Sequence, residues 1–415
     1  MRVTVLCTDL GVRVPGDKGA SMHLRAVVDA FVGLGHDVQL VGVAGHGPAP
    51  AGLADCRLLP HPGRAEGIVR ERNKLDFVRR VVDEVGPHVQ RFGPELIYER
   101  LALFGTAGAH LARTLRCPRV LEVNALLAEE EARWRGLHHV ALAERRERVA
   151  VGTADLVVAV SDEVLAQTRR LVPTIDGIVV PNGMEAARFA ELPAQAEARA
   201  RLGLDPQRPL AVFVGALRPW HGLDVAIDAL ARTTAAVDLA VVGDGPVAAE
   251  LAERADRLGV GHRLHLLGHR PHDEVAAALA AADVALAPYP ALDGFAFSPL
   301  KLFEYLAAGV PVVASRIGQV STLLEGDHEG PYGTLVTPGD AGGLAVAIDR
   351  VLAEPAPARA MAERARRHAL HAHGWDRRLV TIVDAVQQRR PNAAGLNAAP
   401  TTIPPTTGPA DALAC

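Results

Sequence analysis

Phe297-Ser298-Pro299-Leu300-Lys301-Leu302-Phe303-Glu304-Tyr305-Leu306-Ala307-Ala308-Gly309-Val310-Pro311 is the most informative stretch of the 415-residue chain. Ser298 suits a helix N-cap and Pro299 the first helical position. Gly309 can adopt the left-handed conformation that ends a helix, and Pro311 prevents its continuation. Between these signals only Lys301 and Glu304 are charged. A helix that is apolar all round is normally a buried one. Two charges inside it, three apart on one face, need partners. They either pair with each other for structure or serve a ligand. For a ligand the chemistry is specific: the helix N-terminus offers unpaired N–H groups and a partial positive charge to a phosphate. Lys301 adds a full charge there, and Glu304, nearly a turn further on, can accept hydrogen bonds from a ribose diol.

Working outward, short apolar runs alternate with longer helix-like segments. The runs are Val3–Leu6, Val38–Val43, Leu96–Tyr98, Val120–Val123, Leu156–Val160 and Ile178–Val180 in the first half, and Leu210–Val214, Leu239–Val242, Leu264–Leu267, Val284–Ala287, Val312–Ala314 and Thr334–Val336 in the second. Many lack polar alternation, as strands buried on both faces do. Strands separated by helices imply βαβ units and parallel sheets. The expected fold is α/β, with two Rossmann-like domains. A turn signal at Pro181-Asn182-Gly183 and the fresh strand after Pro209 place the boundary near 183–209. Expected limits are 1–184 for an N-terminal domain, 185–370 for a C-terminal domain, 371–389 for a helix packing back on the first, and 390–415 for a disordered tail rich in Pro, Thr and Ala.

Composition narrows the function classes. Apolar residues make up 49% and charged residues 22%, with a net charge of −4, so the chain lacks a basic nucleic-acid footprint overall. Cys7, Cys56, Cys117 and Cys415 form no CxxC pair, and no metal-ligand cluster stands out. Asp9 interrupts the first apolar run, and no run approaches the roughly 20 residues that span a bilayer, so a cytoplasmic protein is expected. Two basic stretches, Arg64–Arg80 and Arg133–Arg148, leave peripheral contact with the inner membrane face open, although Glu71, Asp76, Glu144 and Glu147 interleave with them. No GxGxxG follows the first strand, which disfavours a nicotinamide dehydrogenase.

The segment 298–314, Ser-Pro-Leu-Lys-Leu-Phe-Glu-Tyr-Leu-Ala-Ala-Gly-Val-Pro-Val-Val-Ala, resembles the donor-binding segment of the retaining glycosyltransferase family 4, a GT-B family (glycosyl transferases group 1). Other pieces resemble that family in its own order: Lys18-Gly19-Ala20-Ser21-Met22-His23, Gly35-His36-Asp37-Val38, Val160-Ser161-Asp162, Val180-Pro181-Asn182-Gly183-Met184, Val214-Gly215-Ala216-Leu217-Arg218-Pro219-Trp220-His221-Gly222, Val242-Gly243-Asp244-Gly245-Pro246 and Leu267-Gly268-His269. The resemblance implies a GT-B fold, two Rossmann-like domains with parallel sheets facing a central cleft. It implies a hexosyltransferase moving sugar from a UDP-, GDP- or ADP-sugar to a hydroxyl acceptor (glycan, lipid-linked or small molecule) in glycan biosynthesis, without metal or cofactor. Glu304 is then the ribose acid. Ser298, Pro299, Leu300 and Lys301 lie at the diphosphate, with Arg218 as a second cation and Gly19 allowing close backbone approach. His269 and Arg270 offer backbone groups to the base. His221 stands where many members carry lysine.

Two departures from the family pattern stand out. The first glutamate of the family's pair falls at Ala296. Backbone amides around Phe295, Ala296 and Phe297, or the nearby Asp293, then hold the transferred sugar. A histidine common at the end of the fourth N-domain strand is replaced by Asn124, which can bond a sugar hydroxyl but is no base at neutral pH. Glu122 and Glu129 are nearby candidates. Arg218, Lys301 and Asn124 are the expected catalytic residues, the two cations meeting charge on the leaving diphosphate as preorganised electrostatics. Two other functions fit the same architecture: a sugar-nucleotide 2-epimerase and a non-catalytic nucleotide- or sugar-binding subunit.

Overall fold

The structure, a computed structural model, describes residues 1–16, 18–134, 136–292, 294–296 and 298–389. The expected tail and the candidates Asp293 and Phe297 lie outside those residues. The chain divides into two compact units, one formed by Met1–Pro181 with the described segment 375–389, the other by Asn182–Gly374.

The first unit holds β1 (Arg2–Cys7), β2 (Arg13–Val14), β3 (Asp37–Ala44), β4 (Asp55–Leu59), β5 (Leu96–Arg100), β6 (Arg119–Val123), β7 (Leu156–Ala159) and β8 (Gly177–Val179). Their order is β2-β3-β1-β5-β6-β7-β8, with β4 also on β3. Every pairing is parallel: Val3, for example, lies opposite Val38 of β3 and Leu96 of β5. The second unit holds β9 (Leu210–Val214), β10 (Asp238–Val242), β11 (Leu264–Gly268), β12 (Val284–Ala287), β13 (Val312–Ser315) and β14 (Thr334–Val336), ordered β11-β10-β9-β12-β13-β14 and likewise parallel. Every apolar run expected to be a strand overlaps one of these elements, with Val160 and Val180 falling one residue past β7 and β8. Strands β2 and β4 were not expected. One has two residues, and the other, at the sheet edge, is half-exposed with Asp55 and Arg57 in its sequence.

Burial on both faces explains the unbroken apolar runs. In β9, Val212 and Val214 join a cluster with Leu302, Phe303 and Leu306, whereas Ala211 and Phe213 point to the other face with Leu223, Ile227 and Ile348. Each such aliphatic or aromatic side chain contributes about 1.5–3 kcal/mol by leaving water.

Each sheet has one place where the strand order reverses. From β1 the chain adds strands on one side and then returns to lay β5 on the other. From β9 it adds β10 and β11 and then returns with β12. The carboxyl ends of the strands flanking such a reversal form the ligand crevice of open parallel α/β sheets.

Near the C-terminus, where a single helix over 371–389 was expected, one helix runs Pro355–Ala372 and a second Trp375–Gln388. The second packs within the first unit, where the Trp375 ring meets His23 edge-on at 4.5 Å. The break at His373-Gly374 is used: the His373 carbonyl accepts from Met184 N at 2.9 Å.

Candidate functional site

The reversal point of the second unit is built around the helix Leu300–Ala308. Tyr305 seats it. Its hydroxyl accepts from Val214 N at 2.8 Å and donates to the Leu286 carbonyl at 3.3 Å, bridging β9 and β12 where they diverge. The helix is buried from Lys301 to Ala307 and ends at Gly309 with φ +70°, as the local sequence implied. Its start differs. Pro299 is the N-cap residue and is extended, and no side chain among the described residues caps the helix. Ser298 is instead tied to the chain entering the unit: its hydroxyl accepts from Asn182 N at 3.0 Å and its carbonyl from Asn182 Nδ2 at 2.7 Å. The Ser298 hydroxyl meets a tertiary partner, so the first N–H groups of the helix are left without a side-chain cap.

Lys301 is 8% exposed, and its Nζ has no hydrogen-bond partner among the described residues. It sits 3.8 Å above the Phe213 ring and 5.7 Å from the Tyr289 ring. Cation–π contact offsets part of the desolvation, by up to about 2 kcal/mol. Burial nevertheless pulls its pKa from the ordinary lysine range down to about 7, with the Glu304 charge acting in the opposite direction. Gly215 makes the position possible. It has φ +139°, and a Cβ there would lie 2.9 Å from Lys301 Nζ. Glu304, 9% exposed, follows on the same helix.

Arg218 lies just beyond β9, exposed, with its guanidinium 5.7 Å from the Trp220 ring and no ion pair among the described residues. His221 carries no charge here. Burial first, then the charges of Lys301 and Arg218, lower its pKa to about 3. Its Nδ1 lies 2.5 Å from the Ala216 carbonyl. A carbonyl only accepts, so the proton is on Nδ1 and Nε2 is a bare acceptor. Phe295 is buried with its ring 4.9 Å from Tyr289, and Ala296 is half-buried beside it. Pro299 and Leu300 are half-buried at the helix start. His269 and Arg270 follow β11, two strands from β9. His269 is exposed, and Arg270 bonds the Leu267 carbonyl and Glu274. The second unit thus brings Lys301, Glu304 and Arg218 to one reversal point. The two rings that hold Lys301 had escaped sequence reasoning, because Phe213 lies inside an expected strand and Tyr289 carries no local signal toward Lys301.

The first unit places Asn124 and Glu122 at the end of β6, beside its own reversal point. Glu122, 3% exposed, is a hub. It takes His23 Nε2 at 2.8 Å, Arg100 at 2.7 Å, the Tyr98 hydroxyl and the Asn124 amide. Burial alone raises a carboxyl pKa, but His23, Arg100 and Tyr98 outweigh it, and Glu122 stays ionised well below the usual range. A carboxylate so held is no general base, which removes Glu122 as a candidate for that role. Glu129 is exposed on the helix Leu127–Trp134. Gly19 opens the helix Gly19–Gly33 with an ordinary φ. The crowded glycine of that loop is Gly16, where a Cβ would meet the Arg13 carbonyl at 2.6 Å and Ser21 Oγ at 2.8 Å.

In the basic stretch 64–80 much of the charge is spent internally. Arg70 and Lys74 both reach the buried Glu131, Arg79 pairs with Asp76 and Arg80 with Glu84. Among the described residues, no helix is long and apolar enough to cross a membrane, and no group of three His, Cys, Asp or Glu is arranged to hold a metal.

Comparison with known proteins matches residues 18–188 to "Glycosyltransferase Family 4" and residues 194–368 to "Glycosyl transferases group 1". The teichuronic acid biosynthesis glycosyltransferase TuaC of Bacillus subtilis is 32% identical over 62% of this chain and 61% of its own. The GDP-mannose-dependent alpha-(1-6)-phosphatidylinositol monomannoside mannosyltransferase of Mycolicibacterium smegmatis is 34% identical over 51% of this chain and 56% of its own. The chain therefore matches less than two thirds of the length of each. Among solved structures, HepE of Anabaena in complex with UDP-glucose superposes with a TM-score of 0.69 at 20% identity, covering 94% of this chain and 100% of that one.

Proposed function

The chain belongs to the GT-B glycosyltransferases, and from that premise we propose that it transfers a hexose-type sugar from a nucleotide-sugar donor to a hydroxyl acceptor with retention of anomeric configuration. The observation that carries the donor assignment is Lys301, a buried ammonium without a hydrogen-bond partner among the described residues at a parallel-sheet reversal point. Burying a charge unpaired is costly. A diphosphate supplies the missing partner and also meets Arg218 and the uncapped N–H groups of the helix Leu300–Ala308. Glu304 accepts from the ribose diol, and backbone groups after β11, at His269 and Arg270, face the base. Amides at Phe295 and Ala296 hold the sugar in place of the family's first glutamate.

In the transfer, the bond between the anomeric carbon and the diphosphate oxygen breaks, and a bond from the acceptor oxygen forms on the same face. The acceptor proton passes to the departing phosphate oxygen, so no side-chain base is required. Lys301, Arg218 and the helix N-terminus meet the charge developing on the leaving group, and the proposed reaction proceeds without a metal. HepE was solved with UDP-glucose and the mycobacterial relative is named for GDP-mannose, so UDP and GDP head the candidate bases, with ADP third. The acceptor is a hydroxyl of a glycan, a lipid-linked sugar or a small polyol, met in the cytoplasm.

The test is thermal unfolding of the full chain with UDP, GDP, ADP and TDP in EDTA, with Glu304→Ala alongside. A ligand confined to the folded state adds about 2.7 kcal/mol at 100 times its dissociation constant. One nucleotide is expected to raise Tm, and Glu304→Ala to abolish the shift. No shift at millimolar concentration with any nucleotide overturns the donor assignment. Product NMR with the donor thus identified then reads the anomeric configuration.

A further inference from the structure

The reversal point of the second unit holds a titratable group that the transfer leaves unused. His221 closes the turn Pro219–His221 directly after Arg218, and its backbone N–H donates to the Arg218 carbonyl at 3.0 Å. The turn is pinned from behind: Gly222 has φ +71°, and a Cβ there would meet the Pro288 carbonyl at 1.8 Å. The His221 ring lies 6.1 Å from Phe213 and 6.2 Å from Tyr289, the two rings that also hold Lys301. With Nδ1–H spent on the Ala216 carbonyl, Nε2 is a lone pair on a fixed ring, without a hydrogen-bond partner among the described residues. The charges that act on the ring are two cations, Lys301 and Arg218. The Tyr289 phenol, pushed up by burial, is neutral, and Glu304 acts on Lys301.

The charges of donor and product differ by one. A nucleotide sugar is a diphosphate diester with two negative charges, which Lys301 and Arg218 match one for one. Burial, the largest cause of the lowered His221 pKa, then still keeps the ring neutral. Once the sugar has left, the nucleoside diphosphate has a terminal phosphate whose second ionisation lies near pH 6. The acceptor proton that lands on it is weakly held at neutral pH. Its loss adds a third negative charge with no fixed cation left to meet it, and a neutral imidazole is the group suited to take that proton. We propose that His221 accepts the acceptor-derived proton from the leaving nucleoside diphosphate, so that the site sets two positive charges against the donor and three against the product. The phosphate O–H bond breaks, its electron pair stays on oxygen, and the proton forms the Nε2–H bond of an imidazolium. Nδ1–H stays on the Ala216 carbonyl, and the new N–H donates back to the phosphate. A lysine at this position would hold three charges against donor and product alike. The proposal rests on the donor reading of Lys301 and adds to it the place where the proton of the reaction goes.

Nitrogen-15 NMR of the full chain with labelled histidine reads whether Nε2 carries a proton. It is run at about pH 8, where a free nucleoside diphosphate is already fully ionised. The ligand pairs are UDP with UDP-glucose and GDP with GDP-mannose. The His221 signals are those missing in His221→Asn, whose amide can still donate to the Ala216 carbonyl. Nε2 is expected to be bare in the free chain and with the nucleotide sugar, and protonated with the nucleoside diphosphate. Calorimetry in buffers of different ionisation enthalpy counts the same proton, as an uptake larger by about one with the nucleoside diphosphate than with its sugar. Lys301 takes up its proton with either ligand and cancels in that difference. The count uses wild type alone, so it decides the matter should His221→Asn fail to fold. In a folded His221→Asn, affinity for the nucleoside diphosphate is expected to fall about tenfold and that for the nucleotide sugar to change less than about twofold. The proposal is overturned when Nε2 is bare with both ligands, when it is protonated with both, or when the two proton counts are equal. Absence of all nucleotide binding strikes the donor assignment instead, so the two failures are distinct.

Discussion

The two reversal points share a topology and differ in how their charges are kept. In the second unit Lys301 is buried against Phe213, Tyr289 and Gly215 with no hydrogen-bond partner among the described residues. In the first, Glu122 is buried with four partners. On the proposed reading one charge is left for a ligand to complete, and the fold bears its desolvation cost. The other is completed by the fold and serves as a mount. An unsatisfied buried cation marks where an anion goes, and a saturated one-carboxylate hub marks where neighbouring side chains must hold still.

The contrast is sharpest in stability. Glu122→Leu strands Arg100 and His23 next to an apolar side chain, and removal of one partner from a buried ion pair costs about 3–5 kcal/mol. Urea unfolding checks this, and a loss below 1 kcal/mol breaks the picture of a mount. Lys301→Met has the opposite sign. It removes an unpartnered buried charge, so the free protein is expected to gain about 0.5–2 kcal/mol, while the Tm shift with the nucleotide that stabilises wild type disappears. A destabilised Lys301→Met protein means that Lys301 is structural.

The pH dependence follows from the same lysine. Its pKa is about 7 in the folded chain against the ordinary value of 10.5. Between those values the unfolded chain binds a proton at this residue that the folded chain does not. Stability therefore rises with pH across that window, by at most about 1.4 kcal/mol per unit, relative to Lys301→Met. Below pH 7 both states are protonated and the slope vanishes. Nucleotide-sugar affinity runs the other way, falling by up to about tenfold per unit above pH 7, because the diphosphate needs the ammonium. A nucleotide sugar is the right probe, since its diphosphate diester has no group titrating there. Calorimetry showing equal affinity at pH 6.5 and 8.5 rules this coupling out. The smallest effect is expected for Arg218→Ala. This exposed cation is solvated in the free protein, so its loss weakens nucleotide binding by about three- to tenfold, and added salt should shrink the difference.

Legibility followed locality. The helix Leu300–Ala308, its end at Gly309 and the burial of Lys301 and Glu304 were readable because stop signals and side-chain spacing act within a few residues. Ser298 misled for the complementary reason. Its local preference is to cap the helix, but Asn182 lies within reach in the fold and takes both its oxygens. Glycine conformational demand behaved the same way. Gly19 was chosen through the family resemblance, and in the same loop a Cβ at Gly16 would meet the Arg13 carbonyl at 2.6 Å, a demand that the local sequence does not announce. The basic stretch at 64–80 suggested a charged surface, and Glu131, brought up from a later helix, neutralises part of it.

By itself, the sequence determined the alternation of strands and helices, the parallel sheets buried on both faces, the helix that carries the buried Lys301 and Glu304 and the family. Periodicity, caps and motif order are written along the chain. Only the tertiary structure decided which residues meet at the reversal points. Phe213 and Tyr289 reach Lys301 from β9 and from the chain after β12. Likewise His23 from the helix Gly19–Gly33, Tyr98 and Arg100 from β5, and Asn124 from the chain after β6 converge on Glu122. Side chains far apart in sequence have no local signal for one another, and whether a buried charge is paired or left open is settled only when packing has removed the water around it.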